Sequence, residues 1–366
     1  MKILFLTNIP SPYRVDFFND LGKRCKLTVL FEKLTSAERD ESWKMQRFVT
    51  FQGIVLKGRS TDVDKAICFD VLKYLKQKLY DVIIVSNVST PTGMLAIQYM
   101  KLRRIPFMIE GDGGFAKNGR GFKEAVKRYF ISNAKGYFST SLSHDQYYLA
   151  YGANPEKIYR YHFTSLSSMD ILPELPCLKE KAAAKLQLGF INDKMVLAVG
   201  QFIFRKGFDV LLKACENLEG DVCVTIVGGK PTAEYLQLVE QHNLHNVRFI
   251  EFKSKSELKE YYKAADLFVM PTREDVWGLV INEAMACGLP VITSNRCVAG
   301  LELVEDGVTG YIIPVEDDAL LANRINLILH SEELCGRLAT NSLAKIRSYT
   351  IEQMAQDHID IIKNLP

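Results

Sequence analysis

The amino-acid sequence predicts an α/β protein with two doubly wound domains, each built on a parallel sheet. Its 366 residues are enough for two domains of about 150 residues each. Short apolar runs alternate with amphipathic segments, a pattern typical of parallel strands covered by helices. The alternation stops at a segment containing Pro173 and Pro176 and then resumes. We therefore expect a first domain over residues 1–170, a linker over 171–187 and a second domain over 188–347.

The strands are predicted where apolar residues run together. In the first half these runs are Ile3–Leu6, Leu27–Leu30, Val82–Val85, Phe107–Ile109 and Tyr137–Ser139. In the second half they are Met195–Val199, Val222–Val227, Val247–Ile250, Leu267–Met270, Val291–Thr293 and Tyr311–Ile313. Apolar spacing predicts a helix over Phe208–Leu218, and the final segment Ser348–Leu365 is also predicted to be helical. Ligands of such Rossmann-like sheets bind beyond the carboxyl ends of the strands, so we expect the site in a central cleft between the domains.

Composition indicates a soluble protein without a bound metal. Hydrophobic residues make up 48% of the chain and charged residues 24%, which excludes disordered and collagen-like classes. No apolar run reaches the ~18 residues of a membrane-spanning helix, and the N-terminus does not resemble a signal peptide, so we expect a cytoplasmic protein. The eight cysteines form no CxxC pair and are predicted to be reduced thiols. Asp62-Val63-Asp64 is interpreted as the start of a helix rather than as a metal site.

The strongest motif lies between Met270 and Ile292. A predicted strand ends at Met270, a polar loop follows, and a helix is expected from about Gly278 to Cys287. The amide groups of Gly278 and Leu279 would then be free at the helix N-terminus, where phosphate binds favourably. Glu283, one turn further along, is placed to reach the hydroxyl groups of a sugar. Asp275 precedes the helix and is placed to meet a hydroxyl group on the other side of the phosphate.

This motif resembles the retaining glycosyltransferases of family 4, also called group 1, which have the GT-B fold. Their pattern is an acidic residue, usually Glu, followed eight positions later by Glu, and here it falls on Asp275 and Glu283. The resemblance implies that the first acid contacts the transferred sugar and the second binds the nucleotide ribose. Because Asp replaces the usual Glu, either Asp275 performs the first role or the neighbouring Glu274 does.

A basic pair follows the first strand of the second half. Arg205 and Lys206 come shortly after this strand and would balance the charge of a diphosphate. Gly200 follows this strand and is a further donor-binding candidate. Gly228 follows the next strand and would let the backbone approach a ligand closely, with an ordinary tight turn as the alternative. In the family, an Arg after the strand glycine and a Lys before the helix bind the donor diphosphate. Gln201 occupies the Arg position here, so Arg205 is expected to supply the missing charge.

The first half is expected to bind the acceptor. Arg14 follows the first strand, in a segment that resembles the opening of polysaccharide-assembling members of the family. It is an acceptor-binding candidate, and a position on the helix surface is the alternative. Glu110 and Asp112 follow another predicted strand, where many family members carry a functional His. Either carboxylate replaces that His, or the segment is simply an acidic turn. In related GT-B enzymes the C-terminal helix, here residues 348–366, joins the first domain.

The expected reaction is a metal-independent, retaining transfer of sugar from a nucleotide-sugar donor to a glycan or lipid-linked acceptor, in cell-surface polysaccharide biosynthesis. No cofactor is expected, because the fixed cationic groups and amides can stabilise a departing diphosphate. No nucleic-acid partner is expected either. A nucleotide-sugar epimerase of the same fold and a non-catalytic two-domain binding protein are the alternatives. The sequence does not identify the donor sugar, the base or the acceptor.

The distribution of charge predicts a further partner. Residues 1–170 contain 26 Lys and Arg against 16 Asp and Glu, a net charge of +10, whereas the remaining residues carry −7. We therefore expect peripheral contact with an anionic membrane on the inner face of the cell. The alternative is that the apolar residues near these charges face the core of the domain. The basic residues are Lys101, Arg103, Arg104, Lys117, Arg120, Lys123, Lys127 and Arg128, near the apolar residues Phe122, Val126, Tyr129 and Phe130.

Overall fold

The computed structural model describes residues 1–34, 47–116, 119 and 121–365. Lys117 and Arg120 of the predicted basic surface lie outside the described residues. The chain forms two compact units. The first consists of Met1–Ser165 together with Thr350–Pro366, and the second is Leu166–Tyr349.

The first unit contains a parallel sheet of seven strands in the order β3-β2-β1-β6-β7-β8-β9. Its strands, with the antiparallel pair β4 and β5, are β1 (Lys2–Thr7), β2 (Lys26–Phe31), β3 (Gln52–Val55), β4 (Arg59–Ser60), β5 (Ala66–Ile67), β6 (Val82–Val85), β7 (Met108–Glu110), β8 (Gly136–Ser139) and β9 (Ile158–Arg160). The helices between them are α1 (Pro12–Gly22), α2 (Pro91–Arg103), α3 (Phe122–Ile131) and α4 (Leu142–Ala150). The direction of the strand order reverses between β1 and β6, which makes this the switch point of the sheet.

The second unit repeats this plan with six parallel strands in the order β12-β11-β10-β13-β14-β15. The strands are β10 (Lys194–Val199), β11 (Val222–Val227), β12 (Val247–Ile250), β13 (Leu267–Met270), β14 (Val291–Ser294) and β15 (Gly310–Ile313). The helices are α5 (Leu178–Gln187), α6 (Phe208–Ala214), α7 (Ala233–Gln241), α8 (Lys255–Ala264), α9 (Leu279–Ala286), α10 (Val298–Leu303), α11 (Asp318–Leu329) and α12 (Glu332–Ile346). Its switch point lies between β10 and β13. The prediction of doubly wound parallel sheets is confirmed.

The central strands are buried on both faces, which explains why they are continuous apolar runs in the sequence. All six residues of β11 are buried, as are five of the six residues of β1. Helices cover both faces of a parallel sheet, so alternating polar residues are not needed on these strands. None of the helices formed by the described residues is long and apolar enough to cross a membrane.

The last helix, α13 (Ile351–Lys363), belongs to the first unit and packs against α1. Its apolar residues recur with helical spacing and form one buried face. The buried residues are Ile351, Met354, Ala355, His358, Ile359 and Ile362. Asp357 also connects this helix to the segment after β9. Its carboxylate accepts a hydrogen bond from the backbone amide of His162 at 2.9 Å and lies 2.8 Å from Nδ1 of the same residue.

Three local predictions differ from the structure. Asp62-Val63-Asp64 does not begin a helix but forms the turn between β4 and β5, where Lys33 Nζ donates to the carbonyl groups of Asp62 and Val63. The helix predicted over Phe208–Leu218 ends at Ala214 and continues as a 3₁₀ turn to Asn217. The segment 171–187, predicted as a linker, contains α5, because helix-forming residues follow its two prolines.

Candidate active site

The predicted donor-binding residues of the second unit lie at its switch point. Arg205 and Lys206 belong to a 3₁₀ turn after β10, and Asp275 lies in the loop after β13. Lys206 Nζ is 2.7 Å from Asp275 Oδ2, and the nearest guanidinium nitrogen of Arg205 is 3.4 Å from the same oxygen. The side chain of Lys206 is 14% exposed and that of Asp275 9%, so this ion pair is largely shielded from water. Two cations and one carboxylate thus converge where ligands of such sheets bind.

Close backbone contacts hold the two loops together. A Cβ atom at Gly207 would lie 2.2 Å from the carbonyl oxygen of Pro271, so only glycine permits this approach. Thr272 Oγ1 then donates to the carbonyl oxygen of Arg205 at 2.7 Å. Gly228 and Gly200 make a similar approach, since a Cβ at Gly228 would lie 1.8 Å from the Gly200 oxygen. The structure thus shows close backbone approach between the strands themselves, and the approach of Gly228 to a ligand stays a prediction.

The structure separates the two acids that the sequence left as alternatives. Asp275 is buried and faces Lys206 and Arg205, while its amide donates to the carbonyl of Arg296 at 2.9 Å. Glu274 is more exposed, and its carboxylate binds the guanidinium of Arg296 at 2.6 Å. Glu274 is thus paired with a different cation from the two that contact Asp275. The geometry favours Asp275 as the acid that faces a bound donor.

Helix α9 begins directly after this loop. Gly278 is its N-cap and has φ +103°, a left-handed conformation that suits glycine. The first amide groups of a helix have no partner within it, so those of Gly278 and Leu279 are positioned to donate to an anion. One turn later, Glu283 accepts a hydrogen bond from the hydroxyl of Tyr262 at 2.9 Å. Burial raises the pKa of Glu283, while this hydrogen bond lowers it.

The predicted acceptor-binding residues of the first unit also lie together. Arg14 is buried in α1, and its guanidinium lies 3.0 Å from Glu110 and 2.9 Å from Asp112. Tyr13 donates its hydroxyl hydrogen to Asp112 at 3.1 Å. The alternative that Arg14 lies on a helix surface is therefore wrong. Glu110 is fully buried at the end of β7, whereas the side chain of Asp112 is 35% exposed and can meet a ligand.

Burial alone would raise the pKa of both acids, but the net shifts have opposite directions because their partners differ. Burial would raise the pKa of Glu110, but Arg14 and a hydrogen bond with His358 lower it to about 2. Burial raises the pKa of Asp112, which Arg14 only partly offsets, since the negative charge of Glu110 lies nearby. Glu110 is thus the more readily ionised acid and anchors Arg14, and Asp112 is the more readily protonated group.

Several residues around these sites were not identified from the sequence. His358 Nε2 lies 3.2 Å from Glu110 Oε1, and the hydroxyl of Tyr161 donates to the same oxygen at 3.2 Å. His144 is buried, and burial lowers its pKa to about 3. A Cβ atom at Gly111 would lie 3.0 Å from His144 Nε2, so this histidine sits beside the segment in which the family's usual His is missing. In the second unit, Tyr262 was overlooked because nothing in its local sequence marks a contact with Glu283.

Among the described residues, no group of three or more His, Cys, Asp or Glu side chains is arranged to hold a metal ion. Asp62 is paired with Lys65, and Asp64 accepts a hydrogen bond from the side-chain Nδ2 of Asn8 at 3.1 Å. These two acids are therefore engaged in the structure of the turn.

Residues 182–345 match the family model described as glycosyl transferases group 1. This part of the chain is therefore similar to the group 1 glycosyltransferases. A D-inositol 3-phosphate glycosyltransferase from Xylanimonas cellulosilytica is 29% identical over 189 residues, which cover 50% of this chain and 45% of that protein. Spore coat protein SA from Bacillus subtilis is 33% identical over 175 residues, 44% of this chain and 46% of that protein. The chain spans about half the length of the curated relatives that it matches.

The similarity of fold to solved structures extends over the whole chain. HepE from Anabaena, whose crystal structure is a complex with UDP, superposes with a TM-score of 0.80 at 20% identity. The match covers 100% of this chain and 100% of HepE. The predicted GT-B fold class is confirmed by this likeness and by the two parallel sheets.

Proposed function

We propose that the protein is a retaining, metal-independent glycosyltransferase that moves a sugar from a nucleoside-diphosphate sugar to a glycan or lipid-linked acceptor. The observation that carries the proposal is the convergence of Lys206 and Arg205 on Asp275 at the β10/β13 switch point. This cluster lies within the segment that matches the group 1 family. A site for a small anionic ligand is what such a position predicts.

The cations of this cluster would stabilise the departing diphosphate. Negative charge grows on the phosphate oxygens as the bond to the sugar breaks, so groups fixed beforehand lower the barrier. Lys206 and Arg205 would exchange their contact with Asp275 for contacts with the phosphates. The amide groups of Gly278 and Leu279 would add two further donors at the start of α9. In this arrangement the protein itself supplies the charge that the leaving group requires.

The acids would bind the neutral parts of the donor. Asp275, released from Lys206, would accept a hydrogen bond from a hydroxyl of the transferred sugar. Glu283 would accept hydrogen bonds from the ribose hydroxyls, because it lies one helical turn beyond the phosphate-binding amides. Retention at the anomeric carbon is proposed from the resemblance to family 4, with attack on the face from which the diphosphate leaves.

The acceptor would bind to the first unit through Asp112. This carboxylate is held by Arg14 and Tyr13 but remains partly open, so it can accept a hydrogen bond from an acceptor hydroxyl. Glu110 holds the guanidinium of Arg14 by an ion pair, and its own side chain is fully buried. We therefore assign contact with the acceptor to Asp112 and a supporting position to Glu110.

An exposed basic and apolar surface supports peripheral attachment to an anionic membrane. Phe122, at the start of α3, is 85% exposed, and Tyr129 is 48% exposed. Lys101 Nζ lies 4.2 Å from the centre of the Tyr129 ring, which brings the end of α2 onto the same surface. The alternative that Phe122 faces the core of the unit is therefore wrong. Phe130, by contrast, does pack against the hydrophobic core. Basic residues beside exposed aromatic rings suit a lipid surface, where a lipid-linked acceptor would be found.

Transfer from a panel of nucleotide sugars tests the proposal, with UDP-glucose first because HepE was also determined with that molecule. We expect release of nucleoside diphosphate that depends on an added glycan or lipid-linked acceptor and persists in excess chelator. Proton NMR of the product should show the anomeric configuration of the donor. Sugar interconversion without acceptor would indicate an epimerase, and binding without turnover would indicate a binding protein. Loss of activity in chelator that Mg²⁺ restores would refute metal independence.

A further inference from the structure

The hydroxyl of Tyr262 is directed at the carboxylate of Glu283 from the neighbouring helix. Tyr262 lies on α8 and Glu283 on α9, and the distance from the hydroxyl oxygen to Glu283 Oε2 is 2.9 Å. Tyr262 is 3% exposed, and its ring packs against Phe268 of β13 at 5.8 Å between ring centres. The ring is therefore fixed by the core of the second unit, and its hydroxyl has a defined position.

The hydrogen bond leaves one side of the carboxylate available. Oε2 is engaged by Tyr262, and within the described residues no hydrogen bond is found to Oε1. A carboxylate has two oxygens and can accept at both, so Oε1 can accept from a ligand while Oε2 stays anchored. The tyrosine thus selects which oxygen of Glu283 meets the ligand.

We propose that Tyr262 is a positioning residue for nucleotide binding, which holds Glu283 oriented and ionised so that Oε1 accepts hydrogen bonds from the ribose hydroxyls. This inference rests on the proposed function, because it assigns the ribose of the donor to Glu283. It adds a residue outside the acidic motif, on a different helix, to the donor site. Tyr262 does not touch the ligand in this arrangement but acts through the carboxylate.

The electrostatic surroundings make this role measurable. Burial raises the pKa of Glu283, and both the Tyr262 hydrogen bond and the nearby Lys255 lower it, while Asp170 raises it. Lys255 is itself paired with Asp170 at 2.9 Å, so its charge is partly compensated. Removing the hydroxyl should therefore raise the pKa of Glu283 further. The protonated acid accepts hydrogen bonds less well, so nucleotide binding should weaken at a higher pH in the variant than in the wild type.

The test is calorimetric titration of the full-length protein with UDP between about pH 5.5 and 8, a range that lies above the ordinary pKa of a carboxyl group. Tyr262→Phe should increase the Kd for UDP at least about 10-fold, as expected for a hydrogen bond to a charged group. The ratio of variant to wild-type Kd should grow as the pH falls. The terminal phosphate of UDP also titrates in this range, but it affects every variant equally and cancels in the ratio.

The chain provides a matched control at the preceding residue. Tyr261 is also buried on α8, but its ring packs against Phe190 at 6.4 Å. Tyr261→Phe removes an identical hydroxyl from the same helix and should leave the Kd for UDP within about twofold of wild type at every pH. Thermal unfolding of both variants verifies that each is folded at the temperature of the titration.

A second variant separates positioning from structural support. With Glu283→Gln the ionisable group is absent, so adding Tyr262→Phe should give a Kd ratio that no longer varies with pH. A ratio for Tyr262→Phe alone that is close to one, or that is large but constant with pH, overturns the inference while nucleotide binding itself stands. If the wild-type protein binds none of UDP, GDP and ADP, the proposed function fails and this inference fails with it.

Discussion

Replacing Glu110 with Gln tests whether the buried ion pairs of the first unit are as charged as the geometry indicates. Glu110 is fully buried, and Arg14, Tyr161 and His358 all direct hydrogen-bonding groups toward it. The amide of Gln has only one acceptor oxygen, and its NH₂ group would face these donors. The substitution keeps the volume of the side chain nearly constant, so the change in stability reports on charge and hydrogen bonding rather than on a cavity.

The magnitude follows from the pKa of Glu110. Its ordinary value of 4.5 falls to about 2 in the folded protein, so the ionised form is favoured by the fold. At 1.36 kcal/mol for each tenfold change in the proton equilibrium, this difference corresponds to about 3 kcal/mol of unfolding free energy. Because the folded pKa is depressed, the contribution is complete above pH 4.5 and is lost as the pH falls toward 2. Glu110→Gln also leaves Arg14 with Asp112 alone, which gives an expected loss of roughly 3–5 kcal/mol at pH 7.

The measurement must report on the first unit alone, because a chain of two units need not unfold in one step. Hydrogen exchange followed by mass spectrometry, in increasing denaturant, gives the opening free energy of peptides from β7 and α13. Glu156→Gln is the control, since Glu156 is exposed in the same unit and its replacement should change stability by no more than about 0.5 kcal/mol. The reasoning is refuted if Glu110→Gln matches wild type at pH 7. It is equally refuted if the deficit is undiminished at pH 3, where about half or more of the wild-type contribution should be gone.

Three further predictions concern the donor site, the strand glycines and the membrane surface. Lys206→Met should lower kcat roughly 10²–10³-fold with a smaller change in UDP affinity, because it removes a donor to the leaving group. Lys213 is exposed, and Lys213→Met is the control that should leave kcat unchanged. A wild-type kcat for Lys206→Met in steady-state kinetics would exclude this role of Lys206. Gly228→Ala should lower the melting temperature, because its Cβ would lie 1.8 Å from the Gly200 oxygen. Gly336→Ala is the control, since a Cβ there has nothing within 4 Å, and it should be neutral or stabilising. Equal melting temperatures for the two variants would contradict this prediction. Wild-type protein should sediment with anionic vesicles at low salt and less at high salt. A variant with Lys123, Lys127 and Arg128 changed to Glu should not sediment with these vesicles at low salt. Absence of wild-type binding at low salt would point to a soluble acceptor.

The sequence predicts the central strands of both sheets and the two edges of the second sheet, but not the two edges of the first sheet. Central strands of a parallel sheet are covered on both faces and therefore appear as continuous apolar runs. The strands that were not predicted in the main sheets, β3 and β9, lie at the two edges of the first sheet. Both contain exposed or half-buried residues throughout. Their place in the sheet comes from pairing with β2 and β8, which local hydrophobicity does not record.

Tertiary contacts also explain the turn that was predicted as a helix. Asp62 has the composition of a first helical turn, but Lys33 donates to two carbonyl groups of this segment from 29 and 30 residues away. Asp64 is held by Asn8 from 56 residues away. Local preference at such a position is weak compared with several long-range hydrogen bonds, so the turn is the outcome. The same long-range contacts occupy the acids that resemble a metal-binding pattern.

The residues that carry the proposed chemistry were predictable where they follow strands. Lys206 and Asp275 follow strands β10 and β13, and Glu283 lies on α9. They were identified from these positions together with the resemblance to family 4. Distinguishing Asp275 from Glu274 required side-chain geometry, because only the structure shows that the two acids pair with different cations. Tyr262 required knowledge of how α8 packs beside α9, and no spacing in the sequence contains that information.

His358 shows why the C-terminal helix belongs in any account of the acceptor side. It lies 248 residues from Glu110, yet its Nε2 is 3.2 Å from that carboxylate. The ring stacks on Phe138 with 4.5 Å between centres and 12° between planes, so its orientation is fixed by β8 as well as by α13. Glu110 in turn holds Arg14, and Arg14 holds the partly exposed Asp112. A chain of contacts therefore runs from the last helix to the carboxylate that we assign to the acceptor. Residues 1–165 alone would lack one partner of the buried acid, which makes α13 part of the site rather than an appendage to the fold.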